Sequence, residues 1–344
     1  MENSYPTRDG DGSLMRMSRS QLRAELEDGT QAAAARAKVP PLATDELDHL
    51  LDIWASAARF SAVDIGDEVV LTYDGSGSKT VGTRTQDLLI SEQMLGADSV
   101  ELAHVDYSFK AVKTILPHEA QNMKDAQLVL TAPVMYGAMP NLGLYSQPDG
   151  PVPNWSELLP LTKIAEARAA QEEAIEHAVK DMVAVADAMW EAGADGIDFD
   201  TAGAAGDADL LATLLAVEMI RAAHPDMGIE VGMAGEFVLG VHGRLEYDGV
   251  RLAGLWPREQ MALVRRAGAT IFGPAVNVNT RKSGAWNIAR ALTLVKPCMD
   301  GAEIPVHMNV GMGVGGVPMS SHLPLDAVSR ASRACVDILR LDGL

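Results

Sequence analysis

Two aspartates close a predicted strand near the middle of the chain. The sequence GIDFDT places Asp198 and Asp200 on one face of that strand, because side chains alternate across a strand. Carboxylates that turn inward are costly unless they meet a cation, a metal ion or hydrogen-bond donors. The pair therefore indicates a site where a positive group is held or a proton is accepted.

Other predicted strands carry polar side chains of the same parity near their ends, next to apolar neighbours. They are His104 and Asp106, Asn277 and Asn279, and His307 and Asn309. A single strand histidine is commonly a satisfied interior residue, but the repetition at matching heights favours a shared site. We expect all of these side chains to point into one cavity with Asp198 and Asp200.

Two glutamates flank the end of a further predicted strand, GIEVGMAGE. Glu236 stands at the rim and is the better functional candidate, whereas Glu230 could sit lower in a structural hydrogen-bond network. After the Gly-rich turn that follows Asp200, Asp207 and Asp209 are most simply explained as capping the next helix.

The elements that must position these residues alternate between strands and helices, which predicts a parallel sheet. Each strand has one apolar face and one face that turns polar toward its carboxyl end. A doubly wound sheet should be apolar on both faces, so the pattern favours a TIM-type (β/α) barrel in the α/β class. Six strands are predicted, so the barrel is incomplete against the usual eight. They lie in LGADSVELAHVDY, AQLVLTAPVMYG, AGADGIDFDT, GIEVGMAGE, AGATIFGPAVN and EIPVHMNVG.

The chain is predicted to divide into an N-terminal helical extension, residues 1–84, and a truncated barrel domain, residues 85–344. In the extension, ATDELDHLLDIW has an apolar helical stripe, and TYDGSGSKTVG is Gly- and Ser-rich and typical of a loop. The segment Ala132 to Trp155 is long and rich in Gly, Pro and aromatic residues, which indicates a lid, a binding surface or an oligomer contact. Tyr136 in this segment could hold an alkylammonium ion by a cation–π contact, although such aromatics often only pack.

Composition limits the possible partners. A formal charge of -19 argues against nucleic acid and anionic membranes, because both would be repelled. No apolar run reaches the roughly 20 residues of a membrane span, and the polar start lacks a signal-peptide core, so we expect a cytoplasmic protein. Cys298 and Cys335 lie in helical stretches and are expected in the core.

Two cofactor interpretations are weak. No His-x-His, His-Glu-x-x-His or paired-Cys spacing appears, so we predict no metal site. Gly311 to Gly316, GMGVGG, match G-x-G-x-x-G, but Val-Pro follows where a dinucleotide-binding helix should open. These glycines are better explained by close backbone approach.

Several long motifs together resemble the dimethylamine:corrinoid protein methyltransferases, which depend on pyrrolysine. The motifs are ELAHVDYSFKAVK, YGAMPNLGLYSQPDGP, FDTAGAAGDADL, MAGEFVLGVHG, YDGVRLAGLWP, FGPAVNVNT and HMNVGMGVGGVPM. The resemblance implies a TIM barrel that moves one methyl group of dimethylamine to the Co(I) centre of a cognate corrinoid protein, in methylamine metabolism and methanogenesis. It implies no cofactor bound directly by this chain and a homo-oligomer at full length.

The amine substrate suggests roles for the polar residues, assigned by parity and position. Asp198, Asp200 and Glu236 would attract the ammonium ion and accept its proton, with His104 or His307 as an alternative base. The amides Asn277, Asn279 and Asn309 would orient the substrate, as would Asp106, Tyr136 and Glu230.

The family's electrophile, a pyrrolysine imine encoded by UAG, is missing from this sequence. Before Ile197, a predicted helix is followed by Asp195 and Gly196 and then by a strand. The final LDGL has the same Asp-Gly pattern after a predicted helix, but no strand follows in this sequence. We therefore expect that UAG was read as a stop codon and that the chain is inactive alone. Two alternatives remain open. The same polar ring would suit a metal-dependent TIM-barrel lyase or hydrolase, or the chain could be a stable binding or assembly subunit.

Overall fold

The structure, a computed structural model, describes most of the chain. The described residues are 3–74, 81–105, 111–139, 141–241, 243–320 and 322–344. Two compact units are present. The sheet unit comprises Val70–Leu255 and Glu259–Gly273, and the helical unit comprises Met1–Val69, Trp256–Arg258 and Pro274–Leu344. The domain boundary predicted at residues 84 and 85 stays a prediction.

The elements are numbered along the chain. The strands are β1 (Ser4–Arg8), β2 (Leu14–Ser18), β3 (Thr72–Asp74), β4 (Ser99–Val105), β5 (Val134–Ala138), β6 (Gly196–Ala202), β7 (Gly228–Met233), β8 (Glu246–Tyr247), β9 (Val250–Arg251) and β10 (Ile271–Gly273). The α-helices are α1 (Arg19–Ala37), α2 (Thr44–Trp54), α3 (Val81–Leu95), α4 (Val112–Val129), α5 (Trp155–Leu158), α6 (Ile164–Glu191), α7 (Asp207–Ala223), α8 (Pro257–Ala267), α9 (Gly284–Met299) and α10 (Leu325–Ala334). None of the described helices is long and apolar enough to cross a membrane.

The sheet unit is built on six parallel strands. Their order, β10-β7-β6-β5-β4-β3, follows the chain from one edge to the other without reversing. A doubly wound sheet would reverse direction at a switch point, whereas a (β/α) barrel adds each strand on the same side. Helices separate consecutive strands, as α4 does for β4 and β5 and α7 does for β6 and β7. The predicted fold, an incomplete TIM-type barrel with six strands, is confirmed.

The membership of the sheet differs from the prediction at two places. β3 lies in the stretch that was predicted to be a loop, because its three residues directly precede the Gly- and Ser-rich run that dominated the pattern. The predicted strand EIPVHMNVG is not one of the described strands. Its only ladder pairing there is a parallel bridge between His307 and Gly343, in which Gly343 N donates to Val306 O at 3.2 Å and Met308 N donates to Gly343 O at 3.1 Å.

The helical unit contains the predicted N-terminal helices, preceded by an antiparallel β1–β2 hairpin that the sequence did not suggest. The apolar stripe of α2 is buried as expected, with Leu50 fully buried and Trp54 2% exposed.

The glycine-rich stretch before α10 allows two backbone segments to approach closely. A Cβ on Gly316 would lie 2.9 Å from Ile288 Cα of α9, so a larger residue would push these backbones apart.

The predicted C-terminal helix is α10 followed directly by a π-helical turn, Cys335–Leu339. Arg330 of α10 is 2% exposed and donates to three carbonyl oxygens, those of Pro6 at 3.0 Å and of Ser56 and Ala58 at 3.1 Å. One buried guanidinium thus fastens the end of β1 and the segment after α2 to α10. Both cysteines are buried, as predicted.

A carboxylate cluster as candidate active site

Five carboxylates share one face of the parallel sheet. Asp74 of β3 is paired with Glu101 of β4, and Asp198 of β6 is paired with Glu230 of β7, with Asp200 two residues beyond Asp198. Residues paired in a parallel ladder point to the same side, as do residues two apart along one strand. We call Asp74, Glu101, Asp198, Asp200 and Glu230 the carboxylate cluster.

Glycines on intervening and neighbouring strands make room for these carboxylates. A Cβ on Gly137 of β5 would lie 1.7 Å from Glu101 Oε1 and 2.3 Å from Ala103 O. A Cβ on Gly232 of β7 would lie 2.9 Å from Asp200 Oδ1. Because both strands lack side chains at these points, the acidic groups rest directly on the sheet backbone.

Asp198 is buried next to the other acidic groups of the cluster. It is 8% exposed, and its Oδ1 has no hydrogen-bond partner among the described residues. Burial raises the pKa of Asp198 well above its ordinary value of 3.8, and the negative charges of Glu230, Glu101, Asp200 and Asp74 raise it further. Asp198 is therefore harder to ionise than an exposed aspartate.

Asp200 occupies the carboxyl end of β6, where the chain turns sharply. Its Oδ1 accepts a hydrogen bond from Thr201 N at 2.7 Å, and Thr201 has φ +57°. The β6–β7 register shifts between Phe199 and Ala202, so the strand bulges at this point. Bulges of this kind re-aim side chains next to functional sites.

The family of the chain follows from comparison with known proteins. The family described as dimethylamine methyltransferase matches residues 3–344. The chain belongs to the dimethylamine methyltransferase family. Membership confirms the resemblance inferred from the motifs and supports a methyltransferase as the broad class of enzyme.

Solved structures similar to this member of the dimethylamine methyltransferase family are distant from it. One is a Xanthomonas albilineans dihydropteroate synthase with 4-aminobenzoic acid, 14% identical, with a TM-score of 0.42, covering 80% of this chain and 91% of the other. Another is D-glucarate dehydratase from Agrobacterium tumefaciens complexed with magnesium, 13% identical, with a TM-score of 0.39, covering 85% of this chain and 61% of the other. Scores this low have no bearing on the function of this chain.

The sequence patterns did not predict two members of the carboxylate cluster, Glu101 and Asp74. Glu101 lies before a register shift between Glu101 and His104, so counting alternate residues back from His104 assigns it to the wrong face. Asp74 lies in the stretch that was predicted to be a loop. The sequence signal for Glu101 was a charged residue inside the apolar strand SVELAHV, where an unpaired charge is costly.

The other predicted residues of the sheet unit fare differently. The backbone of His104 in β4 is paired with Gly137 of β5, and Gly137 is paired with Asp198 of β6. The His104 side chain and all of Asp106 lie outside the described residues. Glu236 is 7% exposed and follows the end of β7, and its catalytic role stays a prediction.

The predicted position of Tyr136 needs correction. Tyr136 is paired with Ile197, one residue out of phase with Gly137 and Asp198, so it lies on the opposite face of the sheet. It is fully buried, and the negative charge of Glu119 adds to burial in raising its pKa, while Arg84 lowers it. Tyr136 is a strand residue packed toward helices, which removes it from a cation–π role on the cluster face.

The polar residues predicted beyond β10 also differ from expectation. Asn277, Asn279, His307 and Asn309 belong to the helical unit, and the three asparagines are exposed. β10 ends at Gly273 because Pro274 has no N–H to continue the ladder. Asn277 instead bridges to Val314, and Asn279 Oδ1 accepts a bond from Arg281 N at 3.0 Å in a local turn. The common cavity predicted for these residues and Asp198 stays a prediction.

No group of three or more His, Cys, Asp and Glu side chains among the described residues has the geometry to hold a metal ion. The cluster carboxylates lie on four strands of the sheet. Carboxylates on one face can attract a cation and can exchange a proton with it.

Proposed function

We propose that the protein transfers one methyl group of dimethylamine to the Co(I) centre of a cognate corrinoid protein, and that the carboxylate cluster binds the amine. The single observation that supports this most is Asp198, buried among four other carboxylates with one oxygen that lacks a hydrogen-bond partner among the described residues. Such a site is relieved by a cation with N–H groups to donate. Dimethylammonium is a cation of this kind.

The proton balance of the reaction gives the carboxylates two tasks. Dimethylammonium and Co(I) yield monomethylamine and methyl-Co(III). The carbon–nitrogen bond breaks, its electron pair stays on nitrogen, and the cobalt electron pair forms the new carbon–cobalt bond. The ammonium proton must leave nitrogen before the amine can react as a nucleophile, and it returns when monomethylamine departs. A carboxylate cluster in which the pKa of Asp198 is raised can do both.

Within this proposal, Asp200 acts as the counter-charge at the end of β6, and Asp198 with Glu230 holds and returns the proton. Glu236 remains a candidate for the same work, with His104 or His307 as an alternative base. Asn277, Asn279, Asn309 and Asp106 keep their proposed orienting roles. We propose that Glu101 and Asp74 add negative potential from the neighbouring strands.

Two reacting groups are expected from outside residues 1–344. Pyrrolysine would supply an electrophilic imine, and the corrinoid of the partner protein would supply the methyl acceptor. We propose that this chain binds no cofactor itself. Residues 1–344 contain no pyrrolysine, so we expect them to be inactive alone. We further propose a cytoplasmic protein in methylamine metabolism that assembles as a homo-oligomer at full length.

The test is a defined transfer reaction. A full-length, pyrrolysine-containing protein is mixed with the cognate corrinoid protein reduced to Co(I) and with dimethylamine. The proposal expects one monomethylamine for each methylated corrinoid, and no product when pyrrolysine is replaced by lysine. Absence of monomethylamine with a corrinoid protein that other methyltransferases can methylate would overturn it.

A further inference from the structure

We infer that Asp209 is a positioning residue that ties the turn after β6 to the segment after β5, and so fixes Asp200 beside the rest of the carboxylate cluster. This inference rests on the proposed function of the cluster. It assigns Asp209 a task other than capping α7, the role that its place in the sequence suggested.

The turn after β6 is strained at the residue next to Asp200. Thr201 is β-branched and has φ +57°, a conformation that costs a non-glycine residue about 1–2 kcal/mol and is rarest for β-branched residues. Thr201 N is also the group that donates to Asp200 Oδ1 at 2.7 Å. The strained backbone therefore sets the direction of the Asp200 carboxylate.

Strain of this kind persists only where surrounding contacts over-determine it. Ala204 N donates to Thr201 O at 3.0 Å, and Ala234 N, just beyond β7, donates to Ala202 O at 2.9 Å. A further side-chain contribution to this restraint comes from Asp209, whose Oδ2 accepts from Gly203 N at 2.9 Å.

The other oxygen of the same carboxylate reaches a different segment. Asp209 Oδ1 accepts from Leu142 N at 3.2 Å, at the first residue of a 3₁₀ helix, Leu142–Tyr145. That helix follows β5, the strand between the Glu101 and Asp198 strands. Asp209 and Leu142 are both fully buried, so water cannot replace this bond without opening the structure. One carboxylate thus joins the carboxyl ends of two neighbouring strands.

The neighbouring aspartate offers a matched control. Asp207 lies on the same first turn of α7 and is 1% exposed, but it faces another segment. A Cβ on Gly240 would lie 2.7 Å from Asp207 Oδ2, and the backbone N–H groups of Val241 and Leu245 lower the pKa of Asp207 against the raising effect of burial. Equivalent substitutions at the two positions should therefore loosen different parts of the sheet unit.

The experiment measures amide hydrogen exchange by mass spectrometry in the full-length protein, which needs no turnover. Asp209→Ala is expected to speed exchange at least about tenfold in both residues 139–146 and residues 201–206. Asp209→Asn keeps one acceptor oxygen and should restore protection in one of the two segments. Asp207→Asn should affect residues 238–241 and 243–245 instead. Faster exchange confined to the first turn of α7 in Asp209→Ala would overturn the inference and leave only a capping role.

A second variant and a kinetic readout cover the case in which Asp209→Ala does not fold. Thr201→Gly removes the side chain that opposes the left-handed backbone, so it should fold at least as stably as the wild type while holding Asp200 less firmly. We expect at least about a threefold rise in the KM for dimethylamine with a smaller change in kcat. An unchanged KM in Thr201→Gly would contradict the inference if Asp200→Asn does impair turnover. If Asp200→Asn has normal turnover, the proposed role of Asp200 in the cluster is wrong. The hydrogen-exchange measurement alone then decides whether Asp209 ties the two segments together.

Discussion

Asp198 of β6 and Glu230 of β7 stand side by side in the parallel register, and both are more than nine-tenths buried. Two neighbouring buried acids cannot both ionise without a large electrostatic cost, and burial together with the charge of Glu230 raises the pKa of Asp198. This relationship connects the fold to the proposed chemistry.

Binding of dimethylammonium should release a proton from the cluster. A bound cation next to Asp198 lowers its pKa toward the ordinary value, because it offsets the charges of Glu230, Glu101, Asp200 and Asp74. Calorimetric titration of the full-length protein with dimethylammonium, in two buffers of different ionisation enthalpy, measures the number of protons released for each amine bound. The wild type should release a substantial fraction of one proton, and Asp198→Asn should release clearly less. Equal release from both would show that Asp198 is not the group that carries it.

Stability should depend on pH through Asp209. Burial raises its pKa from 3.8 to about 7, while backbone N–H groups, with Leu142 N first among them, lower it. Between pH 4 and 7 the folded state therefore binds more protons than the unfolded state. The free energy of unfolding should fall as pH rises through this window, by at most about 1.4 kcal/mol per pH unit from this group, and level off above it.

Denaturant unfolding at several pH values compares the wild type with Asp209→Asn. The amide of the variant does not titrate, so the decrease that Asp209 contributes should be lost. Between pH 4 and 7 the free energy of unfolding should therefore change more positively with pH in Asp209→Asn than in the wild type. Identical slopes for the two proteins would refute the assignment of a raised pKa to Asp209.

Gly137→Ala should destabilise the sheet unit. The added Cβ would meet Glu101 Oε1 at 1.7 Å and, less avoidably, Ala103 O at 2.3 Å. Overpacking against backbone costs about 1–3 kcal/mol, and it should also displace Glu101 from the cluster. Gly82→Ala in α3 is the matched control, because nothing lies within 4 Å of its added Cβ. Denaturant midpoints measure both, and a loss in Gly137→Ala no larger than that of the control would count against the close packing of Glu101.

Arg330→Met should destabilise the helical unit by about 3 kcal/mol or more. It removes three charge-assisted hydrogen bonds and leaves the carbonyls of Pro6, Ser56 and Ala58 without this donor. Arg333→Met, three residues along the same helix, removes an ion pair with Asp337 whose arginine side chain is 40% exposed, and it should change stability by about 0.5 kcal/mol or less. Similar unfolding free energies for the two variants would mean that Arg330 does not act as a clamp.

Much of the fold followed from local patterns. Alternation of strands and helices, with one polar face on each strand, was enough to choose a barrel over a doubly wound sheet. The pattern failed where pairing decides the structure. β3 has only three residues and becomes a strand because β4 lies beside it. His307 forms a single bridge to Gly343 instead of belonging to a longer strand. Neither feature has a periodicity long enough to detect in the sequence.

The candidate site was predictable only where strands are regular. Asp198 and Glu230 share a face as parity required, because β6 up to Phe199 and β7 pair without interruption. Asp200 lies inside the bulge and still shares that face, since a Cβ on Gly232 would lie 2.9 Å from Asp200 Oδ1 and 3.6 Å from Asp198 Oδ1. Glu101 was missed because a bulge shifts the parity of β4, and a bulge has no sequence signature of its own here. Tyr136 was taken for a loop aromatic, although the alternation of β5 assigns it to the face opposite Asp198.

The most direct test of the account is the rate of corrinoid methylation from dimethylamine by the full-length, pyrrolysine-containing protein and its cluster variants. Asp198→Asn, Asp200→Asn and Glu236→Gln should remain folded, and at least Asp198→Asn and Asp200→Asn should lose about 100-fold or more of the methyl transfer rate. Glu172→Gln on the exposed side of α6 should stay within about twofold of the wild type. Near-normal turnover in all three of the first variants would contradict the proposal that these carboxylates bind and deprotonate the amine.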